Sequence, residues 1–151
     1  WMNYGVALMQ AAEFEKAETA LLRAASLNPT YSYIYINLGI LKGAAGDPKE
    51  AEIYYKKAID CRNFEHVAWY YYGHFLLSAE RYSEAETALL KALEYVPDYY
   101  SARVDLLQIY LKLEEWQRLR EAVTTFSLSY PNDPMTIIYN QLLNSKQPLQ
   151  K

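Results

Sequence analysis

The sequence predicts an all-α solenoid of antiparallel helix pairs, and three observations support that prediction. Gly5, Gly39 and Gly73 are spaced 34 residues apart. Small and large apolar residues recur at constant distances from these glycines. A proline follows 24 residues after two of them, at Pro29 and Pro97, and proline ends a helix because it lacks an N–H and clashes with the preceding turn. Recurrence at this period indicates one supersecondary unit repeated along the chain.

Each unit carries the same alternation of small and large side chains around its glycine, which we call the anchor. The next anchor positions fall on Leu107 and Gln141. Alanine lies 12 and 19 residues after the first three anchors, where it allows two helices to approach closely. Large residues lie four before and sixteen after the anchor, namely Trp1, Tyr35 and Trp69, then Leu21, Tyr55 and Leu89. The fourth unit keeps the size pattern but loses the small residues, with Leu119 and Phe126 at the alanine positions.

The pattern places the helices in order along the chain. We expect pairs at about 1–11 with 14–27, 32–45 with 48–61, 66–79 with 82–95, and 99–112 with 115–129. The clearest turn is Gly46-Asp47-Pro48-Lys49-Glu50, where glycine ends one helix, Asp47 caps the next and Pro48 fits its first turn.

Asp133-Pro134 starts one more helix, which reaches about Asn144. Its mixed polar and apolar sides suit a terminal cap, whose outer face must be polar. We therefore expect a single domain over 1–144, with units at about 1–31, 32–65, 66–99 and 100–133 and a capping helix at 134–144. Residues 145–151 are predicted to form a frayed tail.

The recurring positions resemble the tetratricopeptide repeat (TPR) family over residues 1–131, without a gap. The resemblance implies a right-handed superhelix in which the first helix of each pair lines a concave groove. Members of the family bind extended peptides or short helices there, so the expected function is a protein-interaction scaffold or adaptor without chemistry of its own.

The groove should be lined by residues three before, two before, one after and four after each anchor, since these form one helical stripe. The stripe is unusually apolar, and such a face marks a binding surface or a buried one. Ile36 and Ile40 fit groove and core equally. The candidate groove residues are Met2, Asn3, Val6, Tyr33, Ile36, Asn37, Ile40, Tyr70, Tyr71, His74, Asp105 and Gln108.

Two comparisons with the family refine this expectation. Asn3 and Asn37 occupy one position in successive units, as in arrays whose asparagines hold a peptide main chain, but the series continues with Tyr71 and Asp105. Arrays that clamp a chaperone's C-terminal carboxylate use Lys, Arg and Asn. Only Asn37 matches among the corresponding residues here, which are Met2, Val6, Asn37, Val67 and Tyr71. A chaperone co-factor of that kind is therefore disfavoured.

The stretch HVAWYYYGHF, residues 66–75, contains four consecutive aromatic residues between two histidines. The repeat frame divides it into two sets. Trp69, Tyr72 and Gly73 occupy packing positions. The set at the groove positions is Tyr70, Tyr71 and His74.

Composition excludes several classes of function. A net charge of -3 and a pI of about 5.4 argue against a nucleic-acid partner. The single Cys61 excludes an internal disulfide and a multi-cysteine zinc site, and a structural thiol is favoured over a reactive one. No apolar run is long enough to span a membrane, and no signal peptide is recognisable. The chain starts at Trp1 inside a predicted helix, which favours an excised segment, and localisation stays open.

No constellation for catalysis, metal or cofactor binding emerges. His66 and His74 are eight residues apart without neighbouring ligands. Acidic pairs such as Glu13-Glu15 fall at helix starts, where negative charge favours the helix dipole. We therefore expect no enzyme activity and a protein or peptide partner. Two alternatives stay open: self-association, and a regulatory domain of a larger enzyme, such as a glycosyltransferase, or of a membrane protein.

Overall fold

The computed structural model describes residues 1–146, which form nine α-helices and no strand. Of the predicted tail, residues 147–151 lie outside the described residues. None of the helices in the described part combines the length and apolar character that crossing a membrane requires. The helices are α1 Met2–Gln10, α2 Phe14–Leu27, α3 Ser32–Ala44, α4 Pro48–Asp60, α5 Glu65–Ser78, α6 Tyr82–Tyr95, α7 Tyr100–Lys112, α8 Trp116–Ser129 and α9 Pro134–Ser145.

In each of the first three helix pairs a glycine packs under a large side chain, as the repeat pattern predicts. A Cβ atom placed on Gly5 would lie 2.7 Å from Leu21, and one placed on Gly73 would lie 2.9 Å from Leu89. In the second pair the ring of Tyr55 covers Gly39 in the same way, at 2.8 Å. The fourth pair replaces the glycine with Leu107, which is fully buried.

All four turns within the pairs contain a residue with a positive φ at the same repeat position. Gly46 has φ 81°, and it is the only one of the four that glycine occupies. The other three are Ala12, Glu80 and Glu114, with φ of 59°, 57° and 54°. The Asp47 side chain accepts a hydrogen bond from the Glu50 amide at 3.0 Å, so the predicted cap of α4 forms.

The second helices of the first and third pairs end at Leu27 and Tyr95, just before Pro29 and Pro97, as predicted. In the second unit Asn63 takes the place of proline, and its side chain fastens the loop before α5 to the start of α3. The Asn63 Oδ1 atom accepts hydrogen bonds from the Ser32 amide at 3.1 Å and from the Ser32 hydroxyl at 2.8 Å. Its amide donates to the Thr30 carbonyl. Ser32 is completely buried, so this contact satisfies a polar group inside the core.

Adjacent helix pairs are also joined by salt bridges, in which a glutamate at the same position of each repeat contacts the next unit. Glu18, Glu52 and Glu86 are spaced 34 residues apart, and each contacts a cation from the following unit. The three pairs are Lys42 with Glu18, Arg81 with Glu52, and Arg118 with Glu86.

The first helices of the pairs, α1, α3, α5 and α7, form a contacting row, and we call them the A helices. Each of α2, α4 and α6 packs between its own A helix and the next one, and α8 packs between α7 and α9. The last helix, α9, contacts α8 rather than the row of A helices. This arrangement leaves one side of the A helices without a helix above it in the described part of the chain, and we call that side the A face.

Candidate binding groove

An open cleft of about 530 Å³ lies on the A face between α3 and α5. Ile40 of α3 and Tyr71 and His74 of α5 line it, so three of the predicted groove residues meet there. The remaining walls are mostly apolar or small: Gly43, Ala44, Pro48, Tyr55, Phe75, Ser78 and Ala79. His74 is the only lining residue whose side chain can carry a positive charge, so the cleft suits an apolar segment with one polar contact.

His74 is held in place by Asp105, which projects from the next A helix. The Nδ1 atom of His74 lies 2.7 Å from the Oδ2 atom of Asp105. The Asp105 side chain is 7% exposed and the His74 side chain is 51% exposed. The hydrogen bond to the carboxylate raises the pKa of His74 above its ordinary value, and burial opposes that shift. With Nδ1 engaged, the Nε2 atom is the one available to a ligand.

Two tyrosines lie beside this histidine, and of these Tyr71 lines the cleft while Tyr70 does not. The rings of Tyr70 and Tyr71 meet edge to face, with centroids 5.2 Å apart. The Tyr70 ring also lies 5.8 Å from the His74 ring. Both tyrosines are half-buried, so their rings are fixed by packing while part of each ring stays accessible.

The two isoleucines that fitted groove and core equally have different surroundings. Ile36 is 2% exposed and packs against Ala58, Val67 and Ala68, so it belongs to the core and its assignment to the groove is wrong. One helical turn later Ile40 is half-buried and lines the cleft. The difference arises because α5 closes over the start of α3 but not over its second half.

The predicted pair of asparagines has no common arrangement. Asn37 donates its side-chain amide to the carbonyl of Tyr33 at 2.8 Å, within its own helix. Asn3 is exposed on α1, between the half-buried Met2 and Val6. Asp105 is 5% exposed and is engaged by His74, so it acts on the face through that histidine. Gln108, one turn further along α7, is exposed.

The aromatic run of α5 is divided between two sides of the helix. Tyr72 is 9% exposed, and its hydroxyl donates to Glu52 at 2.9 Å on the side away from the cleft. Gly73 faces Leu89, while Tyr71 and His74 reach the cleft.

Several cleft residues escaped the sequence analysis. Tyr55 and Phe75 belong to packing positions, yet their rings, 5.2 Å apart, form part of the wall. Gly43 lies on the predicted stripe, four residues after its anchor, whereas Ser78 does not; both are small residues at the ends of α3 and α5, which leaves the volume open. The one available signal was the change from Met9 to Gly43 at a groove position in successive units.

A second cleft, of about 390 Å³, lies between α6, α7 and α8. Its two arginines are already engaged. Arg103 donates to the Pro97 carbonyl at 2.9 Å, and Arg118 pairs with Glu86 and Glu115. The cleft on the A face, which has fewer internal polar contacts, is the better candidate for a partner.

The remaining nucleophile and metal-ligand types do not form a site. The Sγ atom of Cys61 lies 3.3 Å from the Lys57 carbonyl, and burial raises the pKa of the thiol, which makes it less reactive. Within residues 1–146 no three His, Cys, Asp or Glu side chains are grouped as metal ligands would be.

The repeated helix pairs and their uncovered A face define a helical-repeat protein of the protein-interaction scaffold class. The chain belongs to the tetratricopeptide repeat family, whose sequence profile, described as Tetratricopeptide repeat, matches residues 2–66, 36–94 and 73–134. A comparison with curated proteins gave no significant match.

Solved structures with the same fold extend this comparison. PilF of Pseudomonas aeruginosa has a TM-score of 0.82 and 22% identity, and the match covers 96% of this chain and 66% of that one. Two other matched chains are much longer, and this chain corresponds to only 21% and 29% of their length.

Two further matched structures concern peptide binding. YrrB, a TPR protein with an unusual peptide-binding site, has a TM-score of 0.67 and 22% identity, with 88% and 67% covered. The first TPR of Spaghetti (RPAP3), bound to an HSP90 peptide, has a TM-score of 0.66 and 16% identity, with 75% and 90% covered. At these identities the likeness establishes the fold.

Proposed function

We propose that this chain is a non-catalytic adaptor that binds an apolar peptide or a short helix of a partner protein on its A face. The observation that carries the proposal is the cleft between α3 and α5, where Ile40, Tyr71 and His74 meet beside small residues. Ring faces fixed by packing provide contact area at low entropic cost. The His74 Nε2 atom provides one oriented polar contact.

The charge of the cleft separates this proposal from recognition of acidic chaperone tails. The peptide in the RPAP3 structure, SRMEEVD, carries several carboxylates. Here the residues at the corresponding places include Val67, which is 7% exposed and therefore buried, and no lysine or arginine lines the cleft. An apolar ligand with at most one acceptor or acidic group fits these surroundings better.

The test is a selection of peptides from a random display library on the wild-type chain, followed by calorimetry of synthetic winners. A Gly43→Glu variant places a carboxylate in the cleft. A Cβ at Gly43 would meet only the Ala51 Cβ atom, at 4.0 Å, so the fold tolerates the change. Ser83→Glu, at an exposed position on α6, is the charge-matched control.

We expect Gly43→Glu to weaken binding at least about ten-fold, the effect of an unpaired charge in an apolar contact. Ser83→Glu should bind as the wild type does. Selected peptides that bind both variants equally would show that the cleft is not the binding site.

A second candidate function, self-association, is favoured by the outer side of α1. Trp1 is 62% exposed and Tyr4 is 55% exposed, and their rings meet edge to face at 6.3 Å. The residues at the Tyr4 position in the next two units, Leu38 and Tyr72, are 0% and 9% exposed because a preceding helix covers them. Light scattering over a concentration series tests this. A mass that stays constant at the monomer value argues against it, and a Tyr4→Ser variant should reduce any association.

A further inference from the structure

A second aromatic surface lies towards the N-terminal ends of α3, α5 and α7, next to the cleft, with which it shares Tyr71. Its rings come from three successive repeat units and from the loops before their A helices. We call it the aromatic edge, and it consists of Tyr31, Tyr33, Phe64, His66, Tyr70, Tyr71 and Tyr99.

The rings contact each other in two groups. Phe64 lies edge to face against Tyr33 at 5.0 Å and against Tyr31 at 5.9 Å. Tyr99 meets Tyr70 at 5.2 Å, also edge to face. Phe64 is 44% exposed and the tyrosines of both groups are half-buried, so part of each ring is accessible.

The two groups of aromatic rings lie next to each other. Burial, and then the neighbouring phenols of Tyr70, Tyr71 and Tyr33, raise the pKa of Tyr99 to about 12. Its hydroxyl is therefore protonated at neutral pH and is available as a hydrogen-bond donor. Tyr33 of the first group and Tyr71 of the second both pack against the buried cluster of Ile36, Ala58, Val67 and Ala68, so the two groups adjoin.

The backbone at the centre of the edge is in an uncommon conformation. Phe64 has φ 52°, in the left-handed region, and Arg62 two residues earlier has φ 51°. A bulky residue there is strained, and such strain persists only where the surroundings impose it. Asn63 imposes it by bonding to Ser32 and Thr30. The result is that the Phe64 side chain is 44% exposed against two tyrosines.

The phenol groups of the edge are largely unused within the protein. Among residues 1–146, the hydroxyls of Tyr31, Tyr33, Tyr71 and Tyr99 form no hydrogen bond with another side chain or carbonyl. By contrast, Tyr35, Tyr72, Tyr110 and Tyr130, which lie elsewhere, all donate to an acceptor. The edge thus combines ring faces with a row of hydroxyl donors.

We propose that the aromatic edge binds a proline-rich segment of a partner in the extended polyproline II conformation. Such a segment has no N–H groups at its prolines but presents backbone carbonyls along its length. Hydroxyl donors and flat apolar rings are the chemistry that complements it, and proline-rich segments dock into aromatic-lined grooves in this way. Their conformation is preformed, so little entropy is lost on binding.

An ordinary extended peptide fits the edge less well. It loses backbone freedom when it binds, whereas a polyproline II segment already has its bound conformation. The unengaged tyrosine hydroxyls can donate to carbonyls or accept from N–H groups, so hydrogen bonding alone does not select the ligand. The preformed conformation and the flat proline rings, which pack against aromatic side chains, favour a proline-rich segment.

The test uses decaproline as the probe, with a glycine-serine decapeptide as the reference, in calorimetric titrations of the full chain. We expect saturable binding of decaproline with a Kd between about 10 μM and 1 mM, and little change between low and high salt, since no ion pair is formed. Saturable binding of both peptides with equal affinity, or of neither, overturns the proposal.

Two variants locate the site. Tyr99→Phe keeps the ring and removes one hydroxyl, so binding should weaken about 3- to 10-fold, the effect of one lost hydrogen bond. Phe64→Ala removes the exposed ring and should weaken it at least about ten-fold. Tyr95→Phe is the matched control, because Tyr95 is 55% exposed at the end of α6 and lies outside the edge.

The decaproline test and the test of the cleft can fail independently of each other. Gly43→Glu blocks the cleft and should leave decaproline binding unchanged. Loss of decaproline binding in Gly43→Glu, or unchanged binding in both Tyr99→Phe and Phe64→Ala, places the ligand elsewhere and overturns the proposal. Circular dichroism of each variant checks that the helices are retained.

Discussion

The His74 Nδ1 atom and the Asp105 Oδ2 atom, 2.7 Å apart, join α5 to α7 across the A face. The buried carboxylate thus fixes the orientation of the one imidazole that lines the cleft. Stability and its dependence on pH are therefore linked at this contact.

The first prediction concerns the pH dependence of that pair. The pKa of His74 is raised above 6.5 in the folded chain. Its stabilising contribution is therefore complete below about pH 6.5 and is lost as the pH rises through the folded pKa. We expect a loss of less than about 1 kcal/mol, since half of the imidazole is in solvent. Urea unfolding between pH 5.5 and 8.5 measures it.

The control for this pair is Asp105→Asn, which removes the charge and keeps the shape. The variant should be less stable than the wild type, and the dependence on pH in this range should become smaller. An identical slope in both proteins would contradict a role for the pair.

The second prediction compares two glycines on A helices. Gly73→Ala should destabilise the chain by about 1–3 kcal/mol, because the new Cβ would lie 2.9 Å from Leu89 and 3.2 Å from its backbone nitrogen. Gly43→Ala meets no such contact and should stabilise it by up to about 1 kcal/mol through helix propensity. Thermal unfolding of both variants gives the comparison, and equal effects would show that close approach is not the reason for Gly73.

The third prediction concerns the left-handed turns. Glu80 has φ 57° at the position where another unit has Gly46. Glu80→Gly should stabilise the chain by about 0.5–1 kcal/mol, since glycine adopts this conformation without a Cβ penalty. Gly46→Ala should cost a similar amount. A destabilised Glu80→Gly variant in urea unfolding would show that the side chain contributes more than the strain costs.

The fourth prediction concerns the loop before α5. Asn63→Ala leaves the backbone N–H of the buried Ser32 without its acceptor, and we expect a loss of about 1–3 kcal/mol. Asn28→Ala, at an exposed position after α2, should change stability by less than about 0.5 kcal/mol. Because Asn63 also holds Phe64, the same variant should weaken decaproline binding if the aromatic edge is the site.

The fifth prediction concerns the ion pair between the second and third units. The hydrogen bonds from Arg81, and then from Lys56, hold the pKa of Glu52 at about 2, well below its ordinary value of 4.5. The stabilising contribution is therefore present above pH 4.5 and is lost as the pH falls through about 2. Glu52→Gln should cost about 1–2 kcal/mol at pH 7, and the cost should shrink near pH 2. Urea unfolding at both pH values checks this, and a cost that does not shrink with pH would contradict the assignment.

The 34-residue period predicted the family, the helix pairs and the roles of most packing residues. Gly5, Gly39 and Gly73 lie under Leu21, Tyr55 and Leu89, as the offset between anchor and large residue requires. These contacts are predictable because each is made within one unit and is repeated in the next, so sequence recurrence reports them directly.

The sequence by itself determined which side of each A helix packs against the second helices. It therefore determined that Tyr72 is buried while Tyr71 and His74 face the cleft. The tertiary structure alone decided which residues of the remaining stripe stay accessible. Ile36 and Ile40 both lie on the predicted groove stripe, yet α5 covers the first and leaves the second in the cleft. The same is true of Asp105, whose burial depends on the reach of His74, and of Phe64, whose exposure depends on a loop held by Asn63. The physical reason is that these contacts join different units, and their geometry depends on how closely successive pairs stack, which a one-dimensional repeat pattern does not encode.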